Sequence, residues 1–224
     1  MTVLTRTGRY LNAPWTIAIV VLVSAMFVGQ QLSGHWSGKV SHLQHALGYS
    51  FRDIKRGQWW RVLTPNLTNG PERGEVGPPG LRHLLYNVAG LLMVGPPVER
   101  RLGGPRYLIL ASVSGAAAYA WLLVPKPPAN YVDGTSGMLF GIIGALAAIS
   151  LIKPPKELHS RLGLLVVLLY ALGGTLGQPL STKHEHVAGF LAGLGLGLVF
   201  TWSRRTYASS LRQDEFRAAS AAES

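Results

Sequence analysis

The stretch YVDGTSGMLFGIIGALAAIS, residues 131–150, decides how the chain is read. It has the apolar density of a membrane-crossing helix, yet Ser136 stands at its head between Gly134 and Gly137. An apolar side chain there would cost less in lipid, because a hydroxyl at that depth needs a partner. A lone serine in such a helix commonly bonds back to a carbonyl one turn earlier, so GxSG by itself establishes no chemistry. The small residues carry more. Gly137, Gly141, Gly144 and Ala148 form a stripe along one face, which lets a second helix approach closely.

The rest of the chain shares this apolar character. Of its 224 residues 48% are hydrophobic, and they are concentrated in long runs, which marks an all-α membrane protein. The formal charge of +11 raises the question of nucleic acid. The Lys and Arg residues lie between the apolar runs without the aromatic interleaving of single-strand binders, so they read as membrane flanks. The chain has no cysteine, which excludes a Cys nucleophile, thiolate metal sites and disulfides. Neither a metal nor a cofactor is expected.

A bilayer core takes about 20 apolar residues per helix, and six stretches qualify, at about 13–32, 82–98, 107–124, 136–152, 162–179 and 187–202. The first is read as a retained span, since no clear small-x-small cleavage site follows it. Arg6, Arg9, Arg100, Arg101, Arg106, Lys153, Lys156, Arg161, Arg204 and Arg205 all fall on one side, which makes both termini cytoplasmic. The expected organisation is a cytoplasmic N-terminus at 1–12, a membrane domain at 13–205 and a polar, frayed cytoplasmic tail at 206–224. The first loop, about 33–81, carries Lys39, Arg52, Lys55, Arg56, Arg61 and Arg73 outside, against the rule, although loops of this length are weak topogenic signals. Its FRDIKRGQWWRVLTP suits either an interfacial segment among the headgroups or a plain solvated loop. Residues 69–80 read as a flexible insertion.

Polar groups at lipid depth each need a reason. His83 and Asn87 are four apart and share one face of the second span. His186 opens HVAGFLAGLGLGLVF, in which Gly189, Gly193 and Gly197 recur every fourth residue as a second small-residue stripe. Two such stripes, each beginning beside a reactive side chain, bring Ser136 and His186 within hydrogen-bond reach.

In conjunction these features resemble the rhomboid intramembrane serine proteases. The marks are GxSG at Gly134 to Gly137 and HxxGxxxG at His186, Gly189 and Gly193. HxxxN follows at His83 and Asn87, and ExRxG at Glu99, Arg101 and Gly103. Trp60 and Arg61 match the family's first-loop WR pair, and Phe140 falls where the family keeps an aromatic beside the catalytic histidine. The chain departs from the pattern at Asn69, where relatives often carry a further histidine. The resemblance covers about residues 55–200. It implies a six-helix bundle, a Ser136–His186 dyad without a third acid, and an oxyanion hole made by His83, Asn87 and the Ser136 backbone N–H. Glu185 is expected on another face of its helix, and Glu99 and Arg101 in a structural network tying span 2 to its following loop.

A serine hydroxyl needs a base within about 2.6–3.2 Å, and an oxyanion donor is worth roughly a hundredfold to a thousandfold in rate. The expected partners are the bilayer and the transmembrane segments of other proteins, cut near the outer face. The expected location is a bacterial plasma membrane, while the sequence is silent on oligomeric state. A rhomboid-like protein that binds membrane clients without cutting them is the alternative, against which the retention of Ser136 and His186 argues. A small transporter would show symmetry between the two halves, which is not found.

Overall fold

A computed structural model describes residues 13–37, 40–71, 76–124 and 131–222. The flanking Arg6 and Arg9, with Lys39 and Arg73, lie outside the described residues. The chain begins with α1 (Pro14–Leu32), then a hairpin of β1 (His35–Ser37) and β2 (Val40–Ser41), paired antiparallel with His35 opposite Ser41. Next come α2 (His42–Leu47), α3 (Phe51–Lys55) and two 3₁₀ turns, Trp59–Val62 and Thr64–Leu67. The remaining elements are α4 (Leu81–Leu102), α5 (Gly104–Trp121), α6 (Ser136–Ile152), α7 (Leu158–Leu176) and α8 (Leu180–Ala222).

Each of the six apolar runs is a helix. Two of these, Pro14–Leu32 and Leu180–Ser203, are long and apolar enough by themselves to cross a membrane. Boundaries differ from the hydropathy windows because a helix does not end where lipid would. α4 runs through Pro96 and Pro97 to Leu102, although those prolines lack the N–H groups that would bond Leu92 and Met93. α8 starts at Leu180, directly after Pro179, whose carbonyl accepts from Lys183 at 3.1 Å. The tail expected to fray is helical to Ala222, in keeping with its run of Ala, Arg, Gln and Glu.

α6 lies at the centre, with every residue from Ser136 to Ala145 buried. A helix that is apolar all round has no solvated face and must be surrounded. Leu91, Val94 and Val98 of α4 and Tyr107 and Leu110 of α5 pack with Leu139, Ile142 and Ile143 of α6 in one core. The opposite pattern holds on the outside, where Val21, Val28, Ile109, Leu169, Leu191 and Val199 are exposed. An apolar exterior around a polar-bearing interior is how a bundle solves solvation in lipid.

The contact that sets the geometry is α6 against α8. A Cβ on Gly189 would run into the carbonyl oxygen of Gly137, and one on Gly193 into that of Gly141. On Gly144 it would strike the Phe190 carbonyl, and on Gly197 it would come 2.8 Å from the Ala145 Cα. The two backbones therefore touch with no side chain between them. At the far end, Gly103 turns the chain from α4 into α5 with φ +82°, a conformation that other residues adopt only under strain.

Glu99 is buried, and it ties α4 to a different element from the one expected. Its carboxylate accepts from the backbone N–H groups of Trp15 (3.1 Å) and Thr16 (2.7 Å) and from the Thr16 hydroxyl (2.7 Å). It thus caps the first turn of α1, whose N–H groups have no partner within the helix. Arg101, by contrast, is exposed. Replacing Glu99 by Gln puts an amide N–H against those donors and should cost about 2 kcal/mol of stability in detergent. Gly193→Val should lower the unfolding midpoint further and abolish function by prising α8 off α6; a midpoint equal to the parent's would contradict the backbone contact.

Candidate active site

The first loop is a folded cap. Arg61, only 4% exposed, donates to the carbonyls of His45 (2.9 Å) and Gly48 (2.6 Å) and to the Gln58 side chain (2.6 Å). Its neighbours Trp59 and Trp60 are more than half exposed. Within this cap, Asn66 holds the turn that carries the serine. Its side-chain oxygen accepts from Met138 N–H (3.1 Å), and its carbonyl accepts from the Thr135 hydroxyl (2.8 Å). Gly134 N–H donates to the Pro65 carbonyl (3.0 Å), and the Tyr119 hydroxyl to the Gly134 carbonyl (2.8 Å). Thr135 makes no side-chain cap of α6, so Asn66, far away in sequence, takes that part.

Ser136 opens α6 and is 3% exposed. Its hydroxyl donates to the carboxylate of Glu185 at 3.0 Å. The backbone N–H of Gly137 and the Tyr119 hydroxyl also face that carboxylate, which therefore sits at the positive end of α6. This corrects the expectation that Glu185 points elsewhere. The signal was in the sequence: Glu185 precedes Gly189, Gly193 and Gly197 at the same four-residue spacing, so it lies on the face that meets α6.

His186 is buried, and its ring stacks on Phe140 with centroids 3.9 Å apart and planes 11° from parallel. Its Nδ1 lies 3.1 Å from the Thr175 hydroxyl of α7, and its Nε2 is buried without a hydrogen-bond partner. Ser136, Glu185, His186 and His83 line one cavity of about 1020 Å³, together with Asp133 and Tyr86. A Cβ on Gly134 would fall 2.8 Å from His83 Nε2 and 3.3 Å from Ser136 Oγ, so His83 and the serine flank the same point.

Asn87 is fully buried and does not line that cavity; its amide donates to the Asn69 side chain at 2.9 Å. Asn69 was read as the start of a flexible insertion, and here the structure differs. It is fully buried, and its backbone pairs both ways with the Gln30 side chain, at 3.1 Å in each direction. Gln44 donates both to the Asn69 carbonyl and to Asp133 at 3.2 Å. Burial pushes the Asp133 carboxyl above its ordinary range, while Gln44, His83 and Thr68 pull the other way. Residues 72–75 lie outside the described residues. No cluster of metal-binding side chains occurs among the described residues.

Fold and site together define an all-α bundle with an apolar exterior and a cavity where serine, histidine and carboxylate meet. The rhomboid domain family matches residues 56–203. The chain is 30% identical over 144 residues to the rhomboid protease GluP of Bacillus subtilis, covering 62% of this chain and 26% of that protein. It is 34% identical over 98 residues to the putative rhomboid protease YdcA of the same organism, covering 43% of this chain and 44% of that one. The rhomboid protease GlpG of Pectobacterium atrosepticum is 26% identical over 198 residues, with 85% of this chain and 64% of that protein covered. The chain belongs to the rhomboid family, and it spans from about a quarter to about two thirds of the length of these relatives.

The His83 ring packs so closely on Gly134 that a methyl there would sit 2.5 Å from its Cε1. Gly134→Ala should therefore displace His83 and slow the reaction of Ser136 with a fluorophosphonate by at least about tenfold, as expected for a misplaced reacting group. Labelling at the parental rate would show that His83 stands clear of the site.

Proposed function

We propose that this protein is an intramembrane serine endopeptidase that cuts transmembrane segments of other proteins near the outer face. On this reading six helices cross the bilayer and both termini are cytoplasmic. The observation that carries it is the meeting of the buried Ser136 and His186 on one cavity, with Phe140 stacked on the histidine ring. The protease names borne by relatives support the same activity.

The reaction needs four things of these residues. Ser136 Oγ attacks the scissile carbonyl, and its proton passes to His186 Nε2, the ring nitrogen with no other partner. The resting hydroxyl is bonded to Glu185, so attack through His186 begins with rotation about the Ser136 Cα–Cβ bond. The negative charge that develops on the carbonyl oxygen falls to the Ser136 N–H at the head of α6 and to His83, and Asn87, which does not line the resting cavity, joins them only once its amide turns toward the substrate. Asn87 spends one amide hydrogen on Asn69 and carries a second. The imidazolium then gives its proton to the leaving amine, and water admitted to the cavity hydrolyses the acyl-enzyme. A substrate helix must unwind locally to offer its carbonyl, since an intact helix keeps its carbonyls in its own hydrogen bonds. Segments with Gly or Pro at that depth are therefore the expected substrates.

Labelling by a fluorophosphonate in detergent tests the assignment. The parent should label, and Ser136→Ala and His186→Ala should lose labelling and cleavage of single-span substrates by roughly a thousandfold or more. Equal labelling of the parent and Ser136→Ala, with no cleavage across a substrate panel, would overturn it and leave a client-binding protein.

A further inference from the structure

His186 offers its two ring nitrogens to different surroundings, and a count of protons decides which one is protonated. Neutral imidazole carries one N–H. The Thr175 hydroxyl also has one proton, and it donates that proton to the Ala171 carbonyl one turn back on α7, at 2.8 Å. What Thr175 has left for Nδ1, at 3.1 Å, is an oxygen lone pair. That contact is a hydrogen bond only if Nδ1 carries the hydrogen. The other tautomer would place an N–H on Nε2, which is buried and has no acceptor.

Orientation follows from the same bond. Stacking on Phe140 fixes the plane of the ring but leaves rotation within that plane open. A directional contact at Nδ1 closes it. Glu185, the acid adjacent in sequence, is bonded to the Ser136 hydroxyl, and the partner found at Nδ1 is Thr175.

We infer that Thr175 is a positioning residue for the base: its hydroxyl oxygen holds His186 in the Nδ1–H tautomer and turns a bare Nε2 toward the nucleophile. The inference rests on the assignment of Ser136 and His186 as nucleophile and base. In the attack the Ser136 proton moves to Nε2, the ring becomes imidazolium, and its Nδ1–H stays on Thr175. The proton on Nε2 then leaves with the amine. Thr175 so takes the orienting part that a carboxylate takes in a triad, with a neutral acceptor, and it places that part on a third helix.

The test uses the full chain in detergent and a fluorophosphonate probe, with kinact separated from KI. Thr175→Val keeps the shape and removes the hydroxyl. It should lower kinact by about tenfold, the worth of one such bond, with KI and the unfolding midpoint near the parent's. Thr175→Ser should restore kinact to within about twofold of the parent. Thr175→Ala is read in place of valine if valine lowers the midpoint. Parental kinact in the hydroxyl-free variant, or no recovery with serine, overturns the inference. Ser136→Ala run alongside separates the two failures: persistent labelling there overturns the dyad itself, and its loss beside a parental Thr175→Val overturns Thr175 alone.

Discussion

Every feature of the site depends on the absence of side chains between α6 and α8. Where Gly189 meets the Gly137 carbonyl and Gly193 meets that of Gly141, the two backbones are in contact, and no other residue type fits without moving a helix. In lipid there is no hydrophobic force to drive helices together, so dispersion between closely packed backbones and polar contacts must do it. The register of the glycines then fixes the register of what precedes them. Glu185 and His186 on α8 are brought level with Ser136 at the head of α6, and the geometry is over-determined along four turns.

Bringing polar groups to that depth carries a cost, which the first loop offsets. Gln30 of α1, Gln44 of α2, Asn69 and Asn87 of α4 form a buried amide network that reaches Asp133, three residues before the serine. Gln30 and Gln44 each donate and accept, so the network satisfies backbone groups of a loop that would otherwise be orphaned. The serine turn is thus pinned from two sides, by this network and by Asn66. The rigidity serves chemistry, because a displacement of about 1 Å in a reacting group costs far more than a hydrogen bond.

How much of this was legible in the sequence varied with the kind of signal. The six long helices were read from apolar runs, since hydropathy and helical burial report the same thing. Helix ends were less legible: a helix continues into polar sequence where its backbone can, as α8 does on both sides of its apolar core. Ser136, His186, His83 and Phe140 were marked by motif; the first three line the cavity, and Phe140 stacks on His186. Glu185, Asn66, Asn69 and Thr175 were missed or misread. Asn66 and Asn69 act across long sequence separations, which no local pattern encodes, and Thr175 lies on a different helix from His186. Glu185 is different, because its place on the glycine face followed from spacing alone, yet it was expected on another face of its helix. Glu99 was expected to tie span 2 to its following loop, whereas its carboxylate caps α1, because a carboxylate's acceptor role does not say which helix end it will cap.

The serine proton has two acceptors on adjacent residues of one helix, and this ordering constrains how the site can work. Residues 185 and 186 point about a quarter-turn apart on α8. At rest the hydroxyl is bonded to the Glu185 carboxyl and not to the imidazole. That carboxylate also faces the Gly137 N–H at the head of α6, close to where an oxyanion would develop. A charged Glu185 would repel an oxyanion at the same helix terminus, so the site works only with a neutral carboxyl there or with a cation beside it. On the proposed mechanism, the imidazolium formed beside Glu185 is the cation at hand. The proton transfer that activates Ser136 also creates that cation, next to the carboxylate, at the moment the oxyanion forms. A glutamate here raises the demand on the orientation of His186, because an imidazole turned away from the serine can neither take the proton nor place its charge.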